Sequence, residues 1–268
     1  MNNRRLFLQS LLVAALTASY PAHALLSSGA SNLTIAVYPG TGAEEVPIYV
    51  FQASTHAMTE VLTKKIGKKV YTEPFRSFAL LRKTIDNNLA DALLVPPMIA
   101  AYALQHGYQP LVRIQDMASG ALIRRKGQVV TRIGMTEADS WLGAMGANLV
   151  AQHKLVPPNM LEIVKTQDAV VYLLQQKAVQ AAVLRSEKAN KLIATGEYEL
   201  WYPLAATPDL TLLIHDKLAA SYAEPLRQAM LNLPVDAING LQEVIHVPIK
   251  RFVVSNKQDY VPLSGLLK

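Results

Sequence analysis

Four apolar residues, Ala92-Leu-Leu-Val95, stand between Asn87-Asn88 and Pro96-Pro97. So short a run with no polar alternation reads as a strand buried on both faces. The prolines stop it, because a proline has no N–H to give to a ladder. A strand covered on both faces needs helices on either side of its sheet, so this one stretch already points to α/β layering.

The neighbouring sequence repeats the pattern. Leu33-Thr-Ile-Ala-Val-Tyr38 reads as a strand stopped at Pro39-Gly40, and Lys69 to Glu73 as a second, ended by Pro74. Met58, Val61, Leu62 and Ile66 recur at helical spacing between them, with Gly67 as C-cap. Phe78, Leu81, Ile85 and Leu89 mark an amphipathic helix before the Ala92 strand, and a third helix follows Pro97 and ends at His106-Gly107. The second half reads the same way. Thr131 to Met135, Leu161 to Lys165 and Val179 to Leu184 are strands. The helices between them include one capped by Asp139 or Ser140 and one over Asp168 to Lys177, and another starts at Glu187. Leu210 to Ile214 is a late strand, and Pro225 opens a further helix. Strands alternating with helices predict mostly parallel sheets, whose ligands collect at the carboxyl ends of the strands.

The N-terminus is set apart. Arg4-Arg5, the apolar run Leu6 to Leu16 and the small-x-small site Ala22-His-Ala24 make the layout of a secretory signal peptide, possible twin-arginine type included. Removing 24 of the 268 residues leaves 244, and the loss of two arginines lowers the formal charge from +6 to +4. That charge is spread along the chain, so no nucleic-acid partner is expected. With no cysteine there is neither a disulfide nor a residue for a lipid anchor on the mature N-terminus. Export to the periplasm, with cleavage after Ala24, is the expectation. The expected organisation is lobe 1 over 25–115, a hinge crossing over 116–127, lobe 2 over 128–205, and a return to lobe 1 over 206–268.

Enzyme signatures are missing. There is no G-x-S-x-G, H-E-x-x-H, Walker loop, G-x-G-x-x-G or S-x-x-K. The histidines at 23, 56, 106, 153, 215 and 246 never pair at i, i+4, and Glu44-Glu45 reads as a solvated first helical turn. The expectation is a non-enzyme without cofactor or metal.

The pieces in order also resemble a known family. The segments LTIAVYP, IGKKVYTEPFRSFALLRKTIDNNLADALLVPP, GYQPLVRI, AQHKLVPPNM, AVVYLLQQKAVQAAVL and QDYVPLSGLL are similar to the phosphonate/phosphate-type substrate-binding proteins of ABC transporters, among the type II periplasmic binding proteins. The resemblance implies a two-lobed α/β fold that closes on a small-molecule ligand, a membrane permease as partner and a monomeric protein. Several positions depart from the family. Phe78 and Ala100 stand where tyrosines often face the ligand, and Pro96 stands for a glycine. Asp139-Ser-Trp141 replaces a Ser-Thr-Ser at a helix N-terminus, and Gln180 replaces an aspartate. An aspartate at 139 would itself satisfy the free N–H groups and repel an anion.

Topology then nominates the ligand residues. Tyr38 and Thr41 follow the first strand, Arg76, Ser77 and Phe78 the second, Pro97 and Met98 the third. The second half supplies Thr136, Asp139, Ser140 and Trp141, then Arg185, Ser186 and Glu187. Arg76 and Arg185 suit a phosphonate-like or carboxylate oxyanion, since a guanidinium fork matches two oxygens, whereas Asp139 and Glu187 suit an amine. Each also has a plainer role: Asp139 as a helix cap, Arg76 as a solvated charge, Trp141 as core. A subunit presenting its solute to a membrane sensor kinase, and an exported enzyme on the same fold, are the alternatives.

Overall fold

The computed structural model describes residues 32–39, 46–245 and 247–267. The signal segment, Thr41, Glu44-Glu45 and His246 lie outside them. In chain order the elements are β1 (Asn32–Val37), α1 (Ile48–Ile66), β2 (Lys69–Pro74), α2 (Phe78–Asp86), β3 (Ala92–Val95), α3 (Pro97–Leu104) and β4 (Tyr108–Ile114). Next come β5 (Gly120–Arg125), β6 (Ile133–Thr136), α4 (Trp141–His153), β7 (Leu161–Val164), α5 (Gln167–Gln175), β8 (Ala181–Arg185), α6 (Ser186–Ile193) and β9 (Tyr198–Pro203). The chain closes with β10 (Thr211–His215), α7 (Asp216–Leu231), α8 (Val235–Ile245), β11 (Phe252–Val254) and α9 (Val261–Ser264). Among the described residues no helix is long and apolar enough to cross a membrane.

Two sheets form. One has the order β11-β4-β10-β3-β1-β2, the other β7-β6-β8-β5-β9. β1 pairs in parallel with β2 and β3, and β6 in parallel with β7 and β8. β10 lies antiparallel between β3 and β4, and β5 antiparallel between β8 and β9. These two inserted strands make the sheets mixed. β10 belongs to the first sheet although it follows the second in sequence, so the chain crosses between sheets twice. The crossings meet where Ala118 and Thr207, both fully buried, exchange backbone hydrogen bonds of 2.8 and 3.1 Å.

Local chemistry explains most elements. β3 is buried at every position, as its uninterrupted apolar run requires. Gly67 ends α1 at φ 70°, the left-handed conformation a glycine adopts without strain. Pro225, expected at a helix start, lies inside α7. That helix packs on α1, β4 and β11, and the packing outweighs the one backbone hydrogen bond the proline removes. Gly120–Arg125, expected only as part of a crossing, is a strand of the second sheet; its residues from Gly120 to Ile123 are buried.

One core lies between the first sheet and α1, α7 and α8, with Phe51, Met58, Leu94, Leu212 and Leu241. A second holds Ile85, Leu93, Ile99 and Tyr108 from the first half and runs on into Met135, Trp141, Leu142 and Val183 of the second. A third fills the space between the second sheet and α5 and α6. The tail is anchored by Tyr260, whose hydroxyl lies 2.5 Å from Thr211 Oγ1 and 3.0 Å from Ser255 Oγ. Burial pushes that phenol up to about 12, so it stays a neutral hydrogen-bonding group.

Candidate functional site

The carboxyl ends of β1 and β2 face those of β6 and β7 across a cleft of about 310 Å³. Strand direction decides this, because the turn that leaves each parallel strand opens at the same edge. The lining is Tyr38, Arg76, Ser77, Phe78 and Ala79 on one side, and Glu137, Asp139, Ser140, Lys165 and Thr166 on the other.

Three helices start at this cleft, and each is capped by a hydroxyl. Ser77 Oγ accepts from Leu80 N at 3.4 Å at the head of α2, and Ser140 Oγ from Gly143 N at 3.0 Å at the head of α4. Thr166 Oγ1 accepts from Ala169 N at 3.2 Å at the head of α5. A helix N-terminus carries partial positive charge and free N–H groups, so three of them aimed at one space favour an anion there. Arg76 and Lys165 add full positive charges. Both are exposed and neither makes an ion pair among the described residues; Arg76 donates one hydrogen bond, to Val46 O at 2.7 Å. Phe78 stacks on Tyr38 with ring centroids 4.4 Å apart, giving the cleft an aromatic wall.

Ser140 is held on both sides. Its Oγ donates to Glu137 O at 2.6 Å and lies 2.7 Å from Thr136 Oγ1. Gly143 makes this packing possible, since a Cβ there would sit 2.0 Å from Glu137 O and 2.5 Å from Thr136 O. The cap of α4 is therefore Ser140 and not Asp139, which leaves the Asp139 carboxylate without a partner among the described residues.

Of the residues nominated from sequence, Tyr38, Arg76, Ser77, Phe78, Asp139 and Ser140 come together in the cleft. Others go elsewhere. Arg185 is ion-paired to Asp209 at 2.9 Å, with its guanidinium 4.6 Å over the Trp141 ring. Trp141 is core, and its indole N–H is buried without an acceptor among the described residues. Glu187 stands exposed in the first turn of α6, paired with Lys191 at 2.7 Å, which holds its carboxyl below the usual range. Pro97 is buried at the start of α3, and Ala100 is buried in the same helix. Gln180 accepts from Thr131 N, Thr131 Oγ1 and Arg132 N, fastening the approach to β6.

Glu137, Lys165 and Thr166 were not nominated, although the signal was present. Lys165-Thr166 directly follows a short strand and precedes a helix, the same placement that singled out Arg76-Ser77. Among the described residues no cluster of three or more His, Cys, Asp or Glu is arranged to hold a metal.

With the geometry in place, comparison with known proteins is decisive on one point. Residues 50–260 match the family model of ABC transporter, phosphonate, periplasmic substrate-binding proteins. The chain belongs to that family. Its members are periplasmic solute-binding proteins, which implies a small-molecule ligand and a membrane ABC permease as partner. No curated protein matches the chain. Among solved structures, PhnD1 of Prochlorococcus marinus in complex with methylphosphonate is 13% identical, with a TM-score of 0.64 over 89% of this chain and 97% of that one. XAC2383 of Xanthomonas citri bound to ATP is 9% identical, with a TM-score of 0.69 over 88% and 97%. A binding protein component of an ABC phosphonate transporter from Pseudomonas aeruginosa is 12% identical, with a TM-score of 0.60 over 88% and 85%. At these identities the structures share the two-lobed fold with this protein.

Proposed function

We propose that this phosphonate-binding family protein captures a small oxyanion, phosphonate-like or carboxylate, in the cleft between its two lobes and carries it to an ABC permease without chemical change. The observation that carries the proposal is the convergence of three hydroxyl-capped helix N-termini, at Ser77, Ser140 and Thr166, with Arg76 and Lys165 beside them. Ser77 and Ser140 lie on opposite walls, so a bound anion bridges them and favours the closed arrangement. The crossing at Ala118 and Thr207 is the pivot. Lobe 1 comprises 25–115 with the returning 206–268, lobe 2 comprises 128–205 and takes in the strand Gly120–Arg125, and the remainder of 116–127 joins them. The working protein is a periplasmic monomer cleaved after Ala24.

Methylphosphonate in one structural neighbour and ATP in another both present phosphoryl oxygens, which agrees with an oxyanion here. Glu137 and Asp139 restrict the choice, because a highly charged anion would meet two carboxylates. A singly charged head group suits the cleft best.

Calorimetric titration and thermal shift with methylphosphonate, phosphate, sulfate and acetate test the proposal. A ligand present at about a hundred times its dissociation constant stabilises the fold by roughly 2.7 kcal/mol. Stabilisation by one of these anions, clearly reduced in Arg76→Met, is the expected result. Folded protein that responds to none of them, nor to their substituted homologues, overturns it.

A further inference from the structure

A second compartment of about 390 Å³ adjoins the anion cleft. Its floor is one face of α4, where Ala144, Ala147 and Ala151 fall at three- and four-residue steps and leave a shallow trough. Met98 of α3, Leu266 of the tail and Arg82 of α2 form the facing wall. The two compartments share walls. Asp139 lines both, and α2 runs from Ser77 and Phe78 in the first to Arg82, one helical turn on, in the second.

The chemistry of the second compartment differs from that of the first. Alanine, methionine and leucine side chains supply most of its surface, and no helix starts there with a hydroxyl cap. Its polar lining is Asn148 and two residues of opposite charge, Arg82 and Asp139, so it presents no net charge to an occupant. The Arg82 guanidinium lies 5.3 Å over the Tyr102 ring, its Nε is buried without a partner among the described residues, and its aliphatic stem adds apolar surface.

We infer that the ligand is amphiphilic: an anionic head held in the cleft, and an apolar arm, alkyl or aryl, lying in the alanine-lined groove. The inference rests on the anion site proposed above and narrows its substrate class. The groove by itself is as large as many small-molecule sites, and a ligand of methylphosphonate size would leave it empty. Ala147 and Ala151 set the length of arm accepted, because any larger side chain there fills the trough.

Calorimetric titration of methyl-, butyl- and octylphosphonate, alongside the matching sulfonates and carboxylates, tests it. Affinity should rise about fourfold for each methylene that enters the groove. Ala147→Leu should abolish that gain while leaving the methyl member's affinity unchanged. Should Ala147→Leu fail to fold, Ala151→Leu, exposed on the same helix face, carries the test, with circular dichroism as the folding control. Affinity independent of chain length, or a length dependence untouched in a folded groove variant, overturns the groove assignment and leaves the anion site standing. Failure of every member, short or long, to bind folded protein overturns the anion site itself. The head-group series identifies which anion the cleft prefers.

Discussion

The two ends of the first sheet carry similar polar residues in opposite states. At the amino ends of β1 and β3, Asp91 Oδ2 accepts from Thr34 N at 2.9 Å. His215 Nε2 lies 2.8 Å from Asn88 Oδ1, and its Nδ1 accepts from Lys217 N at 3.1 Å. At the carboxyl ends of β1 and β2, Arg76 and the Lys165 that faces it have no ionic partner among the described residues. Arg185 makes the same contrast within the second half, since Asp209 and Trp141 consume its guanidinium. A polar group whose bonds are all made supports the fold, whereas a charge left unpaired in a concave site is available to a ligand.

That contrast can be broken most severely at Gly143, where backbone and cleft meet. Gly143→Ala forces a methyl into the Glu137 and Thr136 carbonyls, and the expected loss is about 4 kcal/mol or more, with ligand binding lost as well. Denaturant unfolding and titration of the same sample measure both. Next comes Arg185→Met, which strands the mostly buried Asp209 carboxylate. Stability should fall by about 3 kcal/mol, read by urea unfolding, while the ligand affinity of the folded protein holds. Arg76→Met sharpens the comparison from the other side. Its stability should stay within about 0.5 kcal/mol of the parent, and its anion affinity should drop roughly 10- to 100-fold, as for one lost charge-assisted hydrogen bond.

The smallest effect is expected at His215. Burial, the largest cause, and the nearby Lys217 hold its pKa below the ordinary 6.5, against opposing contributions from Asp216 and Asp91. The neutral ring is favoured in the folded state. Stability is therefore complete above pH 6.5, and it falls as the pH drops through the lowered folded value, because the unfolded chain takes up the proton first. His215→Gln should flatten that segment of the stability profile, followed by thermal unfolding across pH 4.5 to 7.5 (chosen to bracket about 6.5).

Particular residues show how far sequence alone reached. The Ala92 run, the Gly67 cap and the strand-to-helix turns at Arg76-Ser77 and Asp139-Ser140 were legible, because hydrophobic period and capping act within a few residues. β5 and β9 were not. Gly120–Arg125 becomes a strand through pairing with Ala181–Arg185 and Tyr198–Pro203, partners dozens of residues away. Pro225 misled for a related reason, since the helix around it is held by packing on β4 and β11. Glu137, Lys165 and Thr166 carried the same strand-exit signature as Arg76, but a signature cannot say which exits share an edge.

Local chemistry, then, already specified alternating strands and helices, an α/β protein and the capped turns from which its binding residues come. Which turns face one another depended on the pairing order β7-β6-β8-β5-β9 and on the antiparallel insertion of β10. Arg76 and Arg185 are both strand-exit arginines, and nothing within several residues of either tells them apart. Asp209, 24 positions beyond Arg185, neutralises that one and leaves Arg76 open to the cleft. Ion pairing depends on distance in space, and the chain's own order does not encode that distance.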